Sequence, residues 1–196
     1  MVEELDTHRP KNKLVYEEWI ESSGVPIHRG HFIPDLRKIE VAHWDKLGAN
    51  VAFLQFMGME GVSEGRVTEI PPGGSVKPLK LAVGETVYVI EGQGLATVWA
   101  GKGEKKTFEW QSHSMFHIPR YATYELSNAR GDQPVRLLHY NYLPMAMTVV
   151  PDPEFFYNNP YEDPDLLYGG TDDFMSARAV LGAGAKDPNA EEWGAQ

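Results

Sequence analysis

Two histidines embedded in apolar runs, His117 in "SMFHIP" and His139 in "LLHYNY", are the side chains best suited to exchange protons near neutral pH. A strand presents alternate residues to opposite sides, and the sequence does not fix which side of either run faces inward. A second candidate stretch, "PPGGSVKPLKLAVGETVYVIEGQG" at 71–94, carries the carboxylate Glu85 behind Leu79, Lys80 and Leu81. His113 lies between two serines as on a turn, and His28, His31 and His43 belong to the N-terminal segment. The chain has no cysteine, which excludes disulfides, thiolate nucleophiles and zinc–sulfur sites. Any metal would have to use His, carboxylate or Tyr.

These residues need elements to position them. The chain has 196 residues and is 42% hydrophobic, enough for one cored domain with extensions. Its 18 basic against 28 acidic residues give a net charge of −10, which repels nucleic-acid phosphates and anionic lipid. No run approaches the roughly 20 apolar residues of a membrane span, and the first residues lack the apolar core of a signal peptide, so a soluble, cytoplasmic protein is expected. "KNKLVYEEWIESSG" places Val15, Trp19 and Ile20 at helical spacing and ends on Gly24, predicting a short N-terminal helix within 1–24. From 25 to 143, short runs rich in Val, Ile, Tyr and Phe alternate with Gly, Pro and Asn, the pattern of an all-β sandwich or barrel. From 144 to 196 Pro and Asp interleave with Phe and Tyr, predicting an irregular arm that lays aromatics on a surface, then a polar tail that is partly disordered.

From about Gly24 to Tyr161 the chain resembles the cupin superfamily, jelly-roll β-barrels that commonly hold one divalent metal. Gly73, Glu85 and Gly92 fit the frame of that family's first motif, and Pro119 and Asn128 fit the second. Laid on the frame, the first motif's two histidines fall at Leu79 and Leu81 and the second motif's histidine at Tyr124, while two of its glycines fall at His113 and Tyr121. Glu85 alone survives among four ligand positions. One carboxylate and a phenol do not supply the donors that Zn, Fe, Mn or Ni sites need, so no metal and no cofactor is expected at the family's place.

The resemblance implies a single cupin barrel, paired as a homodimer, with Glu85 pointing inward. Among leucines its carboxyl would be desolvated and its pKa raised into the range of a general base. Tyr124 would act as acid or oxyanion donor, with His117 or His139 reprotonating the product. Leu79, Leu81, Leu126, Phe116 and Tyr88 would form a greasy wall and Lys80 would stand at the mouth, suiting an apolar or aromatic carbonyl compound. The expectation is metal-independent acid–base turnover of a small molecule: a lyase, isomerase, dehydratase or cyclase. Two alternatives stay open. One is a metal-dependent dioxygenase or decarboxylase using His31, His117, His139 and Glu85, and the other is a non-catalytic binding barrel. Arg29 and Arg37 either bind a substrate carboxylate or answer the acidic surface.

Overall fold

The computed structural model describes residues 13–157 and 159–168; the polar tail expected to be partly disordered lies outside the described residues. An eight-residue helix, α1 (Val15–Ser22), opens the chain and turns Tyr16 and Ile20 inward. Gly24 follows it at φ 73°, the left-handed conformation that ends helices most cheaply. Eleven strands succeed it: β1 (Ile27–Gly30), β2 (Ala42–Trp44), β3 (Ala49–Phe56), β4 (Glu64–Ile70), β5 (Leu79–Lys80), β6 (Glu85–Glu91), β7 (Gln93–Trp99), β8 (Lys106–Gln111), β9 (Met115–Ile118), β10 (Thr123–Asn128) and β11 (Val135–Asn141).

They form two sheets. The larger runs β1-β3-β4-β11-β6-β9 with β2 beside β3, and the smaller runs β5-β10-β7-β8. Every pairing is antiparallel except β1 with β3. From β4 to β7 and again from β8 to β11 successive strands alternate between the sheets, so the core lies between them and receives every second residue of β6 and β10. In β6 these are Glu85, Val87 and Val89; in β10 they are Tyr124, Leu126 and Asn128. Val51, Phe53, Val87, Val89, Ala96, Val98, Leu126 and Leu137 are fully buried between the layers.

Two glycines of the motif frame are required by the backbone. Gly73 has φ 64° and Gly92 has φ 99°, and a Cβ on Gly92 would collide with Val135. The frame's Asn128 is a staple: its amide donates to the carbonyls of Ile70 (3.2 Å), Pro71 (3.1 Å) and Gln133 (2.8 Å), and its oxygen accepts from Arg130 N (2.8 Å).

The arm departs from the irregular course expected of it. Its described residues form three short helices, α2 (Leu143–Val149), α3 (Pro153–Tyr157) and α4 (Pro164–Tyr168). Prolines at the start of each supply the helical φ at a position whose N–H has no helical acceptor. Ala82 N donates to Phe156 O (2.8 Å), fastening α3 to the barrel. Further ties run from Lys46 to Glu154 (3.3 Å), Lys80 to Tyr161 O (3.2 Å), Lys106 to Leu167 O (3.3 Å) and Arg120 to Asp163 (3.8 Å). Among the described residues no helix is long and apolar enough to cross a membrane.

Candidate active site

The inner face of β4 reads Glu64, Arg66, Thr68, and that of β11 reads Leu137, His139, Asn141. Register fixes their neighbours: His139 lies opposite Arg66 and Asn141 opposite Glu64. On its other side His139 faces Val87 of β6, two residues from Glu85. The period of two therefore brings two carboxylates, a guanidinium, an imidazole and an amide onto one patch of the barrel interior. Arg66 and Glu64 are 0% exposed, and Glu85 and His139 1%.

Arg66 bridges the carboxylates, donating from Nη2 to Glu85 Oε1 (2.7 Å) and from Nη1 to Glu64 Oε1 (3.1 Å). Asn141 Nδ2 donates to the same two oxygens, each at 3.2 Å. The second oxygen of Glu85 accepts from Tyr124 Oη and from His139 Nδ1, both at 2.8 Å. The second oxygen of Glu64 pairs with the Tyr16 hydroxyl of α1 (3.0 Å).

This overturns the expectation of a raised pKa at Glu85. Burial alone would push it up, but the Arg66 charge, His139 and four hydrogen-bond donors hold it well below the usual carboxylate range. A carboxylate that weakly basic is a poor proton acceptor. Glu64 moves the other way: burial raises it and Glu85 adds to the rise, against the pull of Arg66. Tyr124 is pushed well above the ordinary phenol value by burial and the Glu85 charge, which makes it a weak acid.

His139 gains what Glu85 loses. An ionised carboxylate only accepts, so Nδ1 carries the proton of the Glu85 hydrogen bond and Nε2 keeps its lone pair. Burial, reinforced by Arg66, lowers the His139 pKa against the pull of Glu85 and keeps the ring neutral. Nε2 is buried and has no hydrogen-bond partner.

The remaining candidates lie apart from this cluster. His117 stands on the exposed face of β9, opposite Thr86, whose hydroxyl is 3.4 Å from its Nδ1; the imidazole points away from the interior. His31 is exposed, so His31, His117, His139 and Glu85 do not assemble into a metal site. Tyr88 faces outward and pairs its hydroxyl with His113 Nδ1 (2.9 Å), contrary to a place in the cavity wall. Lys80 reaches the arm at Tyr161 rather than a barrel mouth. Leu79, Leu81 and Leu126 are buried core, and Phe116 packs edge-to-face on Phe108 at 5.1 Å. Arg29 and Arg37 bind surface acids, Glu21 and Asp35. Sequence reading missed Glu64, Arg66 and Asn141, although their alternation in "EGRVTEI" and "HYN" was visible.

The aromatic side chains of α1 and α3 close one end of the barrel. Trp19 touches Tyr157 (5.1 Å), Tyr16, Trp44 and Phe53 (each 5.8 Å). The Tyr157 hydroxyl is buried beside Arg66 but makes no hydrogen bond of good geometry.

The two motif strands meet directly: β5 pairs β10 with Leu79 opposite Tyr124, and the Tyr124 hydroxyl reaches Glu85. Three positions of the ligand frame thus converge across the jelly roll, with the frame's glycines and asparagine at its turns. The chain has the cupin fold. No protein-family model and no curated protein matches the sequence. Among solved structures it is similar to the oxalate decarboxylase of Lactobacillus farciminis in its formate complex (18% identity, TM-score 0.45), over 56% of this chain and 34% of that one. It is also similar to the cupin domain of Schizosaccharomyces pombe Cnp3 (23%, TM-score 0.44, 55% and 66%) and to an oxalate oxidase (18%, TM-score 0.48, 57% and 58%). The chain spans about a third of the oxalate decarboxylase it matches.

The cupin's usual divalent metal does not fit these residues. Leu79 and Leu81 offer no donor, the Tyr124 hydroxyl spends its proton on Glu85, and the Arg66 guanidinium already presses a positive charge onto the Glu85 carboxylate. A divalent ion beside that guanidinium would meet like-charge repulsion.

Proposed function

We propose that this cupin barrel performs metal-independent acid–base chemistry on a small carbonyl compound, with His139 as the base. The observation that carries the reading is the Glu85–His139 hydrogen bond (2.8 Å), which leaves Nε2 bare inside the barrel. A proton on the carbon beside the carbonyl moves to Nε2, and the C–H electron pair becomes that of an enolate. The imidazolium formed is stabilised by Glu85 and returns the proton to the product. Glu85 is thus a positioning carboxylate rather than the base, and Arg66 holds it ionised. Substrate entry requires α3 to lift, because Tyr157 helps to close the barrel end.

Deuterium uptake from D2O by a panel of small aldehydes and ketones, followed by proton NMR, tests this reading. Exchange with the wild type that falls at least a hundredfold in His139→Gln is expected. Equal exchange by the two proteins would remove His139 from the chemistry. A non-catalytic binding barrel is the second reading, favoured by the complete burial of the cluster. It requires saturable ligand binding with no deuterium uptake.

A further inference from the structure

A cavity of about 550 Å³ lies at the open end of the β7–β8 hairpin and shares no residue with the Glu85 cluster. That volume falls within the range of small-molecule sites. Register builds its wall: Gln93 stands opposite Gln111 and Leu95 opposite Glu109, and all four are exposed. Directly opposed residues of an antiparallel pair point to the same side, so each pair offers its two side chains together. Between the pairs Gly94 faces Trp110, which is buried and lines the floor. Hydrogen bonds fix the rim. Gln111 N donates to Ser114 Oγ (3.1 Å), Ser114 N to Gln111 O (2.8 Å) and Ala129 N to Gln93 O (3.2 Å). The walls are thus held in place before any ligand arrives.

We propose that this cavity binds a small organic ammonium ion, a protonated amine carried on a compact apolar body. Among the described residues that line it, Glu109 supplies the one formal charge. The cations nearest in sequence are engaged elsewhere: Lys105 lies over the Trp99 ring (4.2 Å), Lys106 reaches Leu167 O (3.3 Å), and Arg130 grips Asp132 through two bonds (2.9 and 2.8 Å). An anion would therefore meet only the Glu109 carboxylate and be repelled. An ammonium group can donate to that carboxylate and to the amide oxygens of Gln93 and Gln111, while Leu95 and Trp110 face its carbon skeleton. The net charge of −10 on the chain attracts cations to its surface as well.

Binding here needs nothing from His139, so it stands or falls apart from the acid–base reading. Phenethylamine, phenethyl alcohol and hydrocinnamate share one body and differ in charge. Each is titrated into the isotope-labelled full chain and followed through backbone and indole N–H signals by NMR. The amine is expected to shift the Gly94, Gln111 and Ser114 amides and the Trp110 indole N–H, to bind more tightly than the alcohol, and to weaken as salt is raised, while hydrocinnamate does not bind. Glu109→Gln changes the charge of an exposed side chain and keeps its shape, so it should leave the fold intact, loosen the amine about three- to tenfold and leave the alcohol unchanged. Amine binding that only equals that of the alcohol, or that survives Glu109→Gln undiminished, would overturn the ammonium ligand. Shifts confined to other residues, or no shift with any of the three probes, would overturn the site itself.

Discussion

Arg66→Met removes the guanidinium and keeps much of its length. At about 4 Å between charge centres, each of the two ion pairs of Arg66 is worth about 4 kcal/mol at an effective dielectric of 20, so about 8 kcal/mol gross. Desolvation of three charged groups offsets most of that gain. Losing one partner of such a network leaves uncompensated charge and costs about 3–5 kcal/mol. In a domain of this size that is a fall in Tm of roughly 6–20 °C at pH 7. The pH dependence is the sharper signature. In the variant Glu64 and Glu85 face each other without a cation, so both folded pKa values lie above their unfolded values near 4.5. A raised carboxyl pKa contributes stability that is fully present below the unfolded value and lost as pH rises through the folded one. In the wild type the depressed Glu85 does the reverse, losing its contribution as pH falls below about 4.5. The gap between variant and wild type should therefore be widest at pH 7–8 and shrink towards pH 4. Urea unfolding followed by Trp fluorescence across that range measures it. A deficit below about 1 kcal/mol at pH 7, or one independent of pH, would refute the account of Arg66 as the buried counter-ion of two carboxylates.

Four further outcomes follow from other contacts. His139 has a folded pKa below its unfolded 6.5, so its contribution is lost as pH falls from about 6.5 towards the folded value; His139→Gln should flatten the wild-type decline between pH 6.5 and 5 in thermal melts. Tyr124→Phe takes a donor from buried Glu85 and should cost about 1–3 kcal/mol, read by urea titration. A Cβ on Gly94 would run into the Ser127 carbonyl and the Trp110 ring, so Gly94→Ala should destabilise by about 1–3 kcal/mol or more in the same assay. His113 and Tyr121 hold φ of 73° and 62°, and Gly at either should relieve about 1 kcal/mol of backbone strain, seen as a rise in Tm.

Those last two residues show what the sequence could disclose. The frame of glycines predicted sharp turns, and the backbone keeps its left-handed conformation at both positions even where His and Tyr replace glycine. Turn geometry is local, so it was legible. The barrel, the helix of 15–22 and the inward placement of Glu85 and Tyr124 were legible for a related reason: period-two patterning and motif spacing both act along the chain. The protonation of Glu85 was not, because it is decided by Arg66, nineteen positions earlier in sequence and on a strand two places away in the sheet. His117 and His139 looked alike for want of a phase: each lies in an apolar run, and only strand pairing reveals that one faces solvent and the other the core. The arm's helices escaped notice because five- and seven-residue helices held by tertiary contact have almost no periodicity of their own.

Besides the main-chain bond from Ala82, the four polar ties described between barrel and arm put the positive group on the barrel, and two of them, from Lys80 and Lys106, end on main-chain oxygens. Every amino acid carries such an oxygen, so these two bonds do not depend on which side chain stands at Tyr161 or Leu167. What the arm's side chains answer to is packing: Leu167 is buried in the core and Tyr161 lies edge-on to Tyr121 at 4.8 Å, whereas loss of the two lysines removes both of these ties at once. For an engineer seeking a barrel that admits larger ligands, the handle is on the barrel's rim, and the arm itself need not be touched.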